Sequence, residues 1–401
     1  MKGMRAAVIV VTVVALAGVA SAGLFNSATT GNWNTDSYHS SWPAVATWGA
    51  GTRAHGQNGT LGAGTNFPWS GDTAVINSGH TVRACGASMC CDWYGLGAPL
   101  PGDLSIQLNG GTLLYRDVTI DSPIAVLADS ELFSYRTQAD ATLGSQEHQV
   151  GNISGSGNLK LVGGGTPRRL NLKTTDNSGF NGNWDLQDNW LWIHWYSGSS
   201  NNNNTVGNEL LGNGSVTIGG GGLRLFGNKG LVSNPFIINP AGATIVCGGG
   251  GGSAGTVTLG GPISGPGTLG VNISSGAVTL TNSATTVGGL LVSAGVVTLQ
   301  DLGGGPADWD LCDTALTLTG GDLAYHSSMT HTTVAALTLG GTPVDNGTYD
   351  IATGTFGALN FSDYFNGTGT ITVGTAAELI PEPAGLGLVG LALLGLKRRR
   401  S

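Results

Sequence analysis

One short motif recurs through the second half of this chain: an apolar residue, a threonine, an apolar residue. It reads Val216-Thr217-Ile218, Val257-Thr258-Leu259, Val278-Thr279-Leu280, Val297-Thr298-Leu299, Leu316-Thr317-Leu318 and Leu337-Thr338-Leu339. The central threonines fall 41, 21, 19, 19 and 21 positions apart, so the first interval is two periods of about 20 residues. A period near 20 is one turn of a stacked β-coil; a propeller blade needs about 40 residues or more. Alternation along a strand turns the outer two side chains of each triplet one way and the threonine the other. One coil cannot bury its own apolar face. The triplets therefore predict coils stacked about 4.8 Å apart around a shared core of Val, Leu and Ile, with threonine outside.

Glycine fits this picture. It supplies 70 of the 401 residues, and Gly-Gly steps at 110-111, 219-222, 260-261, 288-289, 303-305, 320-321 and 340-341 fall between the strand runs. A coil of short strands bends every few residues, and many bends need a positive φ, which glycine adopts freely. A glycine-rich chain with only 10% charged residues can also be disordered, but 40% of this one is hydrophobic and the bends keep register with the strands. The expected class is all-β. Net charge is −8, with no basic patch apparent outside the C-terminal tail, which argues against nucleic-acid binding.

Both ends read as export signals. Lys2 and Arg5 precede an apolar core from Ala6 to Ala17, and Ala20-Ser21-Ala22 is an A-x-A cleavage site, so residues 1–22 are expected to be a secretory leader handled by the Sec machinery. Residues 376–401 hold Pro381-Glu382-Pro383, an uncharged run of 13 residues from Ala384 to Leu396, then Lys397-Arg398-Arg399-Arg400. As a helix that run spans about 20 Å against a hydrocarbon core of about 30 Å, short for a permanent anchor. The four cations should stay cytoplasmic and leave the body outside. These three parts, in this order, resemble the PEP-CTERM sorting signal of Gram-negative bacteria that make exopolysaccharide. The resemblance implies transient membrane insertion, recognition of Pro381-Glu382-Pro383 by the transpeptidase-like enzyme exosortase, and a place in the cell envelope or outside it. An ordinary membrane anchor would also leave the body outside.

Between the ends, residues 23–100 are rich in aromatic residues and histidine, with Trp33, Trp42, Trp48, Trp69 and Trp93 among them. Thr73 to Asn77 and His80 to Val82 read as strands around a Ser78-Gly79 turn. This region resembles the opening of bacterial surface solenoids, where a tryptophan-bearing segment covers the first open coil. Residues 101–375 carry the repeats. Ile153-Ser154-Gly155-Ser156-Gly157-Asn158-Leu159 matches Ile263-Ser264-Gly265-Pro266-Gly267-Thr268-Leu269, and Asn177 to Trp184 follows the first. These stretches resemble the passenger-associated repeats of autotransporter-like proteins, which implies a right-handed parallel β-helix. The autotransporter pattern is broken at the end, where the sorting signal replaces an outer-membrane barrel. Asn346 to Tyr349 and Phe365 to Val373 read as a closing rung.

The same scaffold hosts polysaccharide lyases and hydrolases, whose chemistry needs paired or clustered carboxylates. Asp308 and Asp310 flank Trp309 on one strand face, Asp185 and Asp188 are scattered, and Arg168-Arg169 has no acid cluster beside it in sequence. Asp176, Asn181, Asn183 and Asp185 only weakly resemble a Ca²⁺ loop, and His326 with His331 lacks a third ligand. No catalytic residue, metal or cofactor is assigned. Cys85, Cys90, Cys91, Cys247 and Cys312 make an odd number; in an oxidising compartment Cys85 can pair with Cys90 or Cys91. The most unusual stretch is Trp190-Leu191-Trp192-Ile193-His194-Trp195-Tyr196. Period two puts Trp190, Trp192, His194 and Tyr196 on one face, where they either stack on sugar rings or are covered by the following loop. The expected role is structural or adhesive, in the surface layer or biofilm matrix, with exopolysaccharide as a candidate partner. A polysaccharide-active enzyme or a carbohydrate-binding protein is the alternative.

Overall fold

The computed structural model of the chain describes residues 24–28, 31–32, 71–85, 102–116, 120, 122–134, 149–150, 152–162, 168–172, 176–187, 189–193, 211–225, 230–247, 255–273, 276–300, 307–325 and 329–374. The leader with Ala20 and Ala22, the tail with Pro381-Glu382-Pro383 and Lys397 to Arg400, and Cys90 and Cys91 lie outside the described residues.

Within them the protein is nearly all β, and its strands pair mostly in parallel. A first ladder runs through Leu24–Asn26, Thr73–Asn77, Ser105–Asn109, Ile124–Ala128 and Ile153–Gly155. A second takes Thr81–Cys85, Thr112–Arg116, Ser130–Ser134, Leu159–Val162, Trp184–Gln187, Val216–Gly219 and Phe236–Ile238. A third takes Arg168–Leu172, Asn189–Ile193, Gly222–Leu225 and Ala243–Cys247, then parts of Ile263–Ile273, Thr286–Leu299, Ala307–Leu318 and Met329–Leu339. A fourth takes Gly230–Val232, Gly255–Leu259, Gly276–Leu280, the end of Thr286–Leu299, and Gly321–Tyr325. Strands that follow one another along the chain fall in different ladders, and each ladder gains a strand about one repeat later. This arrangement of long parallel sheets is compatible with a β-solenoid.

All six triplets behave as alternation requires: the outer two residues are buried and the threonine is half-exposed. Thr258, Thr279 and Thr298 stand in register on adjacent rungs of the fourth ladder. Thr317 and Thr338 stand in register on the third, and Thr217 belongs to the second. One motif therefore serves three ladders, because any strand with one face inward wants the same pattern. The core they build is continuous, with Trp184 and Trp309 fully buried and the Phe180 ring edge-on to Trp184 at 5.4 Å.

The corner before the second ladder shows why the coils stack in one register. Asn158 Oδ1 accepts from the backbone N–H and the Nδ2 of Asn183, at 3.1 and 2.9 Å. Asn183 Oδ1 accepts in turn from the N–H and hydroxyl of Ser215, both at 2.9 Å. Beside them, a Cβ on Gly182 would strike the carbonyl oxygen of Gly157, and one on Gly214 that of Gly182. Only glycine allows coils this close at that point.

Two sequence expectations look different in three dimensions. The strands either side of Ser78-Gly79 exist, but they are no hairpin: each pairs in parallel with a later strand. Gly79 has φ 78°, and the His80 N–H donates to the Asn77 carbonyl, which makes a corner between ladders. The first ladder also runs across residue 100, since Thr73–Asn77 pairs with Ser105–Asn109. At the far end the pairing turns antiparallel. Leu337 to Leu339 pair with Thr342–Val344, and Gly347–Asp350 with Thr370–Val373. Tyr349, Phe361 and Phe365 stack at 4.8 and 5.8 Å under this closing rung.

Candidate functional site

The third ladder carries the aromatic stretch. Asn189–Ile193 is one of its rungs, and alternation holds there: Leu191 is buried in the core and Trp190 is half-buried on the outer side. Trp192 shares the parity of Trp190. His194 and Tyr196 lie outside the described residues. A Cβ on Gly222, the register partner of Trp190 on the next rung, would sit 2.8 Å from the indole Cζ3. The indole thus lies over Gly222, part packed and part open, an outcome between stacking platform and covered core.

The rungs on either side are basic. Arg168 pairs with Asn189, Arg169 with Trp190, and Asn171 with Trp192. On the opposite side Arg224 pairs with Trp192. Arg224 is half-buried between the core residues Leu223 and Leu225, and that burial holds its guanidinium below the ordinary arginine value. Arginine remains charged all the same. The outer register positions beyond are uncharged: Gly222 leads to Thr244 and Gly270, and Arg224 to Val246 and Asn272. Register places the Arg169 and Arg224 positions on the outward side of the two rungs that flank Trp190 and Trp192. Arg168-Arg169 and Arg224 are far apart in sequence, and parallel pairing brings their strands to the two flanks of the aromatic rung. A usable signal was present: Lys160, Arg168, Arg169, Lys173, Arg224 and Lys229 fall in one stretch of the chain.

Several of the other candidates have structural partners, while Asp188 lies outside the described residues. Asp176 accepts from the N–H and hydroxyl of Ser178, which hold its carboxyl below the usual range. Asn181 accepts from Asn213 Nδ2, and Asn183 belongs to the corner network. Asp185 faces outward in a charged row with Lys160 and Glu131, whose closest N–O approach is 3.9 Å between Lys160 and Glu131. Burial raises the Asp185 carboxyl against the opposing pull of Lys160. His331 has both ring nitrogens beside threonine hydroxyls, Nδ1 with Thr370 at 2.7 Å and Nε2 with Thr333 at 3.3 Å, while His326 lies outside the described residues. Asp308 pairs with His331 and Asp310 with Thr333, with the buried Trp309 between them. Among the described residues, no three His, Cys, Asp or Glu side chains gather as metal ligands. Cys85 ends a strand of the second ladder, and Cys247 is a buried core thiol that burial pushes up to about 12, so it is a poor nucleophile at neutral pH.

No family model, curated protein or solved structure matches this chain.

Proposed function

We propose that this is an exported surface or matrix protein whose body is a right-handed parallel β-helix with a structural or adhesive role. In this reading the Sec machinery exports it through the leader, and exosortase recognises Pro381-Glu382-Pro383 while the basic end holds the tail in the membrane. The observation that carries the reading is the continuous parallel stacking, with outward rows such as Thr258, Thr279 and Thr298 that offer hydroxyls in place of catalytic groups. A stack in which each coil touches only its neighbours presents a long regular surface, which suits a scaffold or an adhesive face. The leader and tail agree on destination.

The test is a sorting experiment in an exosortase-bearing host. Replacing Pro381-Glu382-Pro383 by three alanines should leave the protein in the membrane fraction at its unprocessed mass, while the native chain is processed and released from the inner membrane. Unchanged processing of the variant would remove the sorting half of the proposal.

A further inference from the structure

We propose that the outer face of the third ladder around Asn189–Ile193 is a subsite for an acidic polysaccharide, one bearing carboxylate or sulfate groups. It rests on the reading above, since such a polymer meets this face only if the body is exported.

Three observations point there. Trp190 lies half-open over Gly222 and presents apolar ring surface on the outside of the coil. Sugar rings offer flat C–H faces to such a ring, and an indole has an apolar body with a polar tip. Two arginines hold outward register positions beside the same rung, Arg169 opposite Trp190 on one side and Arg224 opposite Trp192 on the other. Planar guanidinium groups match carboxylate and sulfate geometry with paired donors. Finally, charge concentrates here against the trend of the molecule. The chain has net charge −8, and six of the ten Lys and Arg residues between the leader and the tail fall in the stretch from Lys160 to Lys229, the others being Arg53, Arg83, Arg116 and Arg136. Asp176, Asp185, Asp188 and Glu209 are the acids of that stretch. Asp185 is matched to Lys160 on the second ladder, not the third. Beyond the basic rungs the outward positions Thr244, Gly270 and Asn272 are small or neutral, so a chain lying across the rungs meets no repelling carboxylate there.

The experiment uses the exported mature protein in affinity electrophoresis against polygalacturonate, neutral dextran and double-stranded DNA. Polygalacturonate should retard the native protein, with retardation falling as salt is raised. Dextran should retard it far less, and DNA should not match polygalacturonate. Arg169→Gln with Arg224→Gln should weaken the acidic-polymer interaction by about tenfold, as loss of paired charges at a contact does. Trp190→Ala should weaken it as well. Lys160→Gln, on the neighbouring ladder, should leave it unchanged, which separates a local site from general loss of positive charge. Absence of retardation by polygalacturonate, equal retardation by dextran or DNA, or an unaffected double arginine variant would each overturn the proposal. Cell fractionation of the double variant keeps the two readings apart. Normal delivery with lost binding confirms the subsite, whereas failure of the native chain to leave the cytoplasm sinks the export reading instead.

Discussion

At the corners, asparagine replaces the hydrogen bonds that a bend takes away from the ladder. Asn234 is buried, and its Nδ2 reaches back one coil to the carbonyls of Gly212 and Gly214, at 2.9 and 2.7 Å. Asn177 reaches back in the same way, its Oδ1 accepting from the buried Ile153 N–H at 2.7 Å. The Asn158–Asn183–Ser215 column makes similar bonds in the open. Burial should decide what each is worth, because water replaces a lost partner only at the surface. Asn234→Ala should lower unfolding stability by about 2 kcal/mol and Asn183→Ala by about 1 kcal/mol or less, measured by urea denaturation. A larger loss at Asn183 would contradict this ordering. The sequence did not mark any of these amides as a corner cap. Asn181 and Asn183 looked like parts of a loose cation loop, because a linear reading shows acids and amides close together but not the coil above to which they bond.

The closing element does a different job from the rungs it ends. A parallel ladder leaves a row of unpaired N–H and C=O groups at each end, a template for another chain. Here Thr342–Val344 and Gly347–Asp350 run antiparallel against the last rungs, and the stacked Tyr349, Phe361 and Phe365 hold them down. Phe361 is fully buried in this stack. Phe361→Ala should cost the element about 3–5 kcal/mol, the usual range for deleting a buried ring. The expected result is early proteolysis between residues 342 and 374 and concentration-dependent self-association by size-exclusion chromatography. A monomeric, protease-resistant variant would show that the rings are dispensable. Elements were legible in the sequence where local pattern decides them. The triplets and the closing rung that includes Asn346 to Tyr349 were plain. Pairing was not: Ser78-Gly79 looks like a hairpin turn, and only the coil path shows it to be a corner. The basic flanks of Trp190 were hidden for the same reason, since the partners of a parallel rung lie a full coil away.

Across the whole molecule, period and alternation were enough to predict stacked β-coils, and the parallel ladders agree with them. Counting the period did not reveal that Thr298 and Thr317 belong to different ladders, because the interval between them matches those within a ladder. Handedness came from resemblance alone, as no pattern of side chains encodes it. A scaffold or adhesive role predicts that the mature body, incubated with acidic and neutral polysaccharides, generates no new reducing or unsaturated ends. Their appearance, abolished by substituting Asp308 or Asp310, would turn the face they share with His331 into a catalytic one. The nearest-neighbour bonding of the coils also bears on how such a chain can change over time. Tandem duplication of a single repeat in the middle would add one step of length and leave both termini with their original contacts. A protein built this way can be lengthened to match whatever distance it has to reach, one short genetic insertion at a time.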